Sequence, residues 1–95
     1  MKRHIHGFEW DEWNIDHIAE HDVTQYDAED VFEIRPYFRR GPVVRGEQRH
    51  FCYGLTDAGR YLTVIFTLKP GGIARVVTAR NMEPEERRMY KRGGK

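Results

Sequence analysis

Ninety-five residues, 39% hydrophobic and 33% charged, are too apolar for a disordered chain and too interrupted for a membrane span, which takes roughly 20 consecutive apolar residues. A lone Cys52 excludes an internal disulfide and a Cys-rich zinc site, and the absence of serine excludes serine catalysis. The formal net charge of +1 conceals a split: residues 1–34 carry ten acidic and two basic side chains, whereas residues 35–95 carry fourteen basic, eleven of them Arg, and five acidic.

Residues 8–34 contain no Gly or Pro and read as helical. Asp11 or Asn14 can cap a first helix carrying Trp10, Trp13, Ile15 and Ile18, which ends near His21-Asp22. Thr24 can cap a second, with Tyr26, Ala28, Val31 and Phe32 at helical spacing, and Pro36 stops it. From Tyr37 the period becomes strand-like. Tyr37–Val44, broken by Gly41-Pro42, suits a sheet edge. Arg49–Leu55 leads through Thr56-Asp57-Ala58-Gly59 into Tyr61–Leu68, and Lys69-Pro70-Gly71-Gly72 leads into Ile73–Ala79. By the two-residue period Leu62, Val64, Phe66 and Leu68 share the buried face, with Tyr61, Thr63, Ile65 and Thr67 opposite. A last helix starts near Met82-Glu83-Pro84, with Asn81 as its cap, and Gly93-Gly94-Lys95 forms a frayed tail. The expectation is one α+β domain over residues 1–95: two N-terminal helices, a twisted antiparallel sheet of about four strands and a C-terminal helix. The start MKRHIHGFEW carries no apolar signal segment, so a cytoplasmic protein is expected.

His17 and His21 are four apart and share a helix face, and His4 and His6 form a His-x-His pair. With no third protein ligand placed, neither a metal nor a cofactor is expected. Cys52 reads as a small buried hydrophobe. What remains is an arginine set threaded through the meander: Arg39, Arg40, Arg45, Arg49, Arg60, Arg75 and Arg80. Arg grips phosphate bidentately, so the charge split suggests an anion-binding surface in the C-terminal part, unless the two halves neutralise one another on folding. Cutting RNA without a metal takes a base for the 2′-hydroxyl proton, cations for the charged phosphorane-like state and an acid for the 5′-oxygen, roles open to Arg, His and Tyr. Arg75 and Arg80 differ by five and cannot share a face of one regular strand.

Together the pieces resemble the BrnT family of bacterial toxins, which has a RelE-like ribonuclease fold. The resemblance rests on Phe8-Glu9-Trp10-Asp11-Glu12, His21-Asp22-Val23, Ala28-Glu29-Asp30-Val31-Phe32, Gly54 and Ala58-Gly59-Arg60. It continues through Ile73-Ala74-Arg75-Val76-Val77-Thr78-Ala79-Arg80 with Glu86, Arg87 and Tyr90. It implies a toxin that cleaves RNA without a metal and inhibits translation. It also implies a cognate antitoxin with a ribbon-helix-helix domain, DNA being reached only through that complex. By motif position it implies that His21, Arg75, Arg80 and Tyr90 are catalytic, with His21 or Tyr90 moving the proton. Arg49 would position substrate, joined among the cations by Arg45 and Arg60. The antitoxin is expected over Arg49–Arg80 or over the Trp10–His21 helix face. One departure stands out: the familiar Lys-His-Gly around the helical histidine is here Glu20-His21-Asp22, and carboxylates there repel phosphate. The alternative is therefore a catalytically degenerate module that only binds its antitoxin or nucleic acid.

Overall fold

The computed structural model describes residues 5–93. His4 of the His-x-His pair, and Gly94 and Lys95 of the expected tail, lie outside them. The elements run β1 (Gly7–Glu9), α1 (Glu12–Ala19), α2 (Gln25–Val31), β2 (Tyr37–Val44), β3 (Glu47–Leu55), β4 (Tyr61–Lys69), β5 (Ile73–Asn81) and α3 (Pro84–Gly93). The expected α+β order is present, with two corrections. The sheet has five strands in the order β1-β5-β4-β3-β2, and it is mixed, because β1 runs parallel to β5 while β2 to β5 form the antiparallel meander. The chain from Phe8 thus begins as a strand, not a helix. Three residues carry no readable period, and it is the free edge of β5 that recruits them, Phe8 pairing with Ala74 and Glu9 with Arg75.

Local chemistry sets the helix starts. Asp11 accepts from the Asn14 N–H (3.2 Å) while Asn14 Oδ1 accepts from the Asp11 N–H (2.9 Å), a reciprocal capping box. Thr24 and Asp27 repeat it for α2. Between the helices the Val23 N–H donates to the Ile18 carbonyl and the Asp22 N–H to the Ala19 carbonyl, the paired bonds of a Schellman motif. Asp22 holds the left-handed position of that motif at φ 59°, a conformation that glycine adopts without steric cost. Asn81 does not cap α3. It closes β5, and its Oδ1 accepts from Arg60 Nε (2.9 Å); Pro84 opens the helix, and the Glu86 carboxylate accepts from the Glu83 N–H (2.9 Å).

One sheet face and the two N-terminal helices enclose the main core. Leu62, Val64 and Phe66 of β4 and Cys52 of β3 pack with Ile18, Val23, Ala28 and Val31, all at most 1% exposed. Phe8 and Phe66 each meet the Phe32 ring edge-on at 5.0 Å, a favoured aromatic geometry. A Cβ on Gly54 would stand 2.6 Å from the Val31 carbonyl, so only glycine lets α2 sit this close to β3. Leu68, expected to be buried with its alternates, is 39% exposed, because it lies one ladder pair from the Lys69–Ile73 end of the hairpin, which opens to solvent. Among the described residues no helix is long and apolar enough to cross a membrane.

Candidate functional site

The opposite sheet face carries Arg49, Arg75 and Arg80, and a β-bulge organises it. Ile65 pairs with Thr78 but Phe66 pairs with Val76, so Val77 is an extra residue in β5. A bulge shifts the alternation by one. Arg75 consequently lies opposite Thr67 and Arg80 opposite Thr63, and both arginines stand on one face, where strict alternation would have separated them. Arg49 of β3 shares this face with Phe51 and Tyr53, which pair with Ile65 and Thr63.

Helix α1 borders one end of the face. β1 covers β5 only as far as Arg75, and α1 lies along the edge beyond it, with Asn14 Nδ2 donating to the carbonyls of Glu9 (3.0 Å) and Val76 (3.1 Å). Between α1 and the strands runs an open groove of about 380 Å³ whose lining includes Trp13, His17, Arg49, Thr67, Lys69 and Arg75, together with Glu47 and Val77. Neither Arg49 nor Lys69 is ion-paired among the described residues, though Glu47 shares the groove with them. Arg75 differs: Nη1 and Nη2 donate to Asp11 (2.9 and 3.3 Å) and Nη1 to Glu9 (3.4 Å), engaging three of its five N–H donors. The bond from Arg75, helped by the Asn14 N–H, holds the Asp11 carboxyl below its ordinary range. Arg75 is thus an oriented and partly neutralised cation.

Helix α3 covers the other end. Tyr53, Met82 and Tyr90 form a second apolar cluster there, and Arg87 stands 4.0 Å over the Tyr61 ring, a cation–π contact. Arg80 makes a two-pronged pair with Glu86, Nη1 to Oε1 at 2.7 Å and Nη2 to Oε2 at 3.0 Å. Tyr90 is 2% exposed, its hydroxyl donates to the Arg35 carbonyl (2.7 Å), and burial pushes its pKa up. It ties α3 to the start of β2.

The seven residues singled out in the sequence do not converge. Arg49 and Arg75 line the groove. Arg80 and Tyr90 belong to the α3 end, each with an internal partner. Arg45 sits at φ 53° in the two-residue β2–β3 turn with Gly46. Arg60 donates through Nη1 and Nη2 to the carbonyls of Asp22 and His21, closing the loop after α1. His21 is one turn beyond His17, ring centroids 6.2 Å apart, and outside the groove wall. The groove instead holds three residues that sequence reasoning had not selected for it: His17, Trp13 and Lys69. The sequence pairs His17 with His21 and groups Trp13 with Trp10, Ile15 and Ile18; the spacing of four between Trp13 and His17 was the available signal, but nothing in the sequence places that face beside β5. Among the described residues no group of three or more His, Cys, Asp or Glu is arranged to hold a metal ion. A family model described as the ribonuclease toxin, BrnT, of type II toxin–antitoxin systems matches residues 10–86. No curated protein matches the chain.

Proposed function

The chain belongs to the BrnT family of type II toxin–antitoxin ribonuclease toxins, which implies an RNA substrate and an antitoxin partner, and from that premise we propose that the groove beside α1 is where RNA is cut. The observation that carries this reading is that Arg75, opposite Thr67 on β4, lines one groove with Arg49, Lys69 and His17. Arg49 and Lys69 take the phosphate, and Arg75, held by Asp11 and Glu9, supplies directed N–H donors to it. His17 accepts the 2′-hydroxyl proton as that oxygen attacks phosphorus, an imidazole being the side chain suited to proton transfer near neutral pH. The imidazolium returns the proton to the departing 5′-oxygen, leaving a 2′,3′-cyclic phosphate and a 5′-hydroxyl. The constellation calls for no metal. Proton transfer falls to His17 because His21 lies outside the groove and the Tyr90 hydroxyl is committed to a backbone carbonyl. Cleavage of RNA inhibits translation, and a ribbon-helix-helix antitoxin neutralises the toxin and carries it to DNA.

The test is cleavage of RNA by the purified protein in chelator, with the ends analysed. His17→Ala is expected to lower the rate by about 10²-fold or more, while His21→Ala leaves it within a few-fold of the native rate. Cleavage unchanged by His17→Ala removes His17 from the mechanism. A second reading has an observation of its own: Arg75 and Arg80 are both tied to carboxylates, as expected of a module that binds without cutting. Native protein that binds RNA and never cleaves it establishes that reading.

A further inference from the structure

The groove has a second compartment. A hollow of about 210 Å³ lined by Pro42, Val44, Phe51, Ile65, Val77 and Thr78 adjoins it, and Arg49 and Val77 belong to the walls of both. One compartment is cationic, the other apolar, and the arginine stands at their junction. At the far side of the cationic compartment Trp13 is 83% exposed, an indole left almost wholly in water on a helix face otherwise occupied by Glu12, Asp16, His17 and Glu20. A lone exposed aromatic adds little to folding, whereas it offers a ring face to a ligand.

We infer that the groove selects unpaired RNA: one base stacks on Trp13, its neighbour rests on the apolar floor of Phe51, Ile65 and Val77, and the cations between them hold the linking phosphate at Arg49. This deepens the ribonuclease reading and rests on it. Alternation of aromatic or apolar platforms with cations is how single strands are held without base readout. A duplex is unsuited, because its bases are stacked on one another and its major groove is too narrow for side chains. In the apolar compartment Thr78 carries the hydroxyl and Arg49 the charge, so bases are taken by their faces and selectivity among them is weak. An acidic protein segment is the competing occupant, and the cation at the junction together with the free indole favours a nucleotide.

Binding is read with six-nucleotide 2′-O-methyl RNA, which cannot be cleaved, offered single-stranded and as a duplex, by anisotropy and by tryptophan quenching. Trp13→Ala and Val44→Glu change exposed side chains and leave the core intact. Each is expected to weaken single-strand binding roughly ten-fold, and Trp13→Ala to abolish the quenching, since Trp10 is held by its bond to Glu29 (2.8 Å). Native affinity in both variants, or equal affinity for duplex and single strand, overturns the inference. If those variants instead lose only purified antitoxin, the surface belongs to the protein partner and the inference fails. Cleavage by the native protein is scored separately, so intact cleavage with unaltered binding in both variants defeats this proposal alone.

Discussion

Glu86 shows how much one side chain can hold. Its Oε1 accepts from Thr63 Oγ1 (3.0 Å), Arg80 Nη1 and the Glu83 N–H, and its Oε2 from Arg80 Nη2, so β4, β5 and α3 meet at one carboxylate. Burial pushes its pKa up, but the bonds from Arg80, the Glu83 N–H and Thr63 outweigh burial and leave it below its ordinary value of 4.5. A carboxyl whose folded pKa is lowered stabilises the fold above the unfolded value, and that contribution is lost as pH falls through the folded value. The melting temperature is therefore expected to drop as pH is lowered below about 4.5. Glu86→Gln should cost about 1–3 kcal/mol at neutral pH and flatten that acid dependence, as thermal melts across pH will show; Asp11, lowered by Arg75, acts in the same direction from the surface.

At the scale of the element, the meander was readable and its bulge was not. The caps at Asp11 and Thr24 and the turns at Thr56–Gly59 and Pro70–Gly72 depend on side chains within a few residues of each other, so sequence spacing exposes them. Strand β1 and the Val77 bulge depend on what lies across the sheet. Without Val77, Thr78 to Asn81 would invert, carrying Arg80 to the core face where Ala79 is now fully buried. Deletion of Val77 is expected to abolish the cooperative melting transition, because burying an unpaired guanidinium costs more than a small domain can spare. Val77→Thr, which keeps the residue count and the β-branch, should melt within a few degrees of the native protein.

For the whole molecule, the charge split is only partly a separation in space. The acidic N-terminal half supplies α2, packed on the core face, and α1, which sends Ile18 into the core while Trp13 and His17 border the groove, and only part of it neutralises the arginine-bearing face, through Glu9 and Asp11 on Arg75. The basic C-terminal half is not one converging cluster. It divides into an open groove with Arg49, Lys69 and Arg75 and an α3 end where Arg80 is internally paired. With Arg75 paired to carboxylates, the two remaining groove cations, Arg49 and Lys69, predict a salt dependence for single-strand binding with a slope of log K against log salt near about −1.4, at roughly −0.7 per phosphate contact. Lys69→Ala should reduce that slope by about 0.7; a slope unchanged by this substitution would show that Lys69 meets no phosphate.

Fold class, helix starts, the order of the meander and the family were legible in the sequence, because each rests on periodicity, capping or turn chemistry that neighbouring residues express together. The groove was not, since it is built by the edge of β5 meeting α1, and neither was the inserted Val77 that decides which way Arg80 points at the other end of the face. Those are relations between segments some sixty positions apart, as between Asn14 and Val76, and only the folded chain brings them into contact.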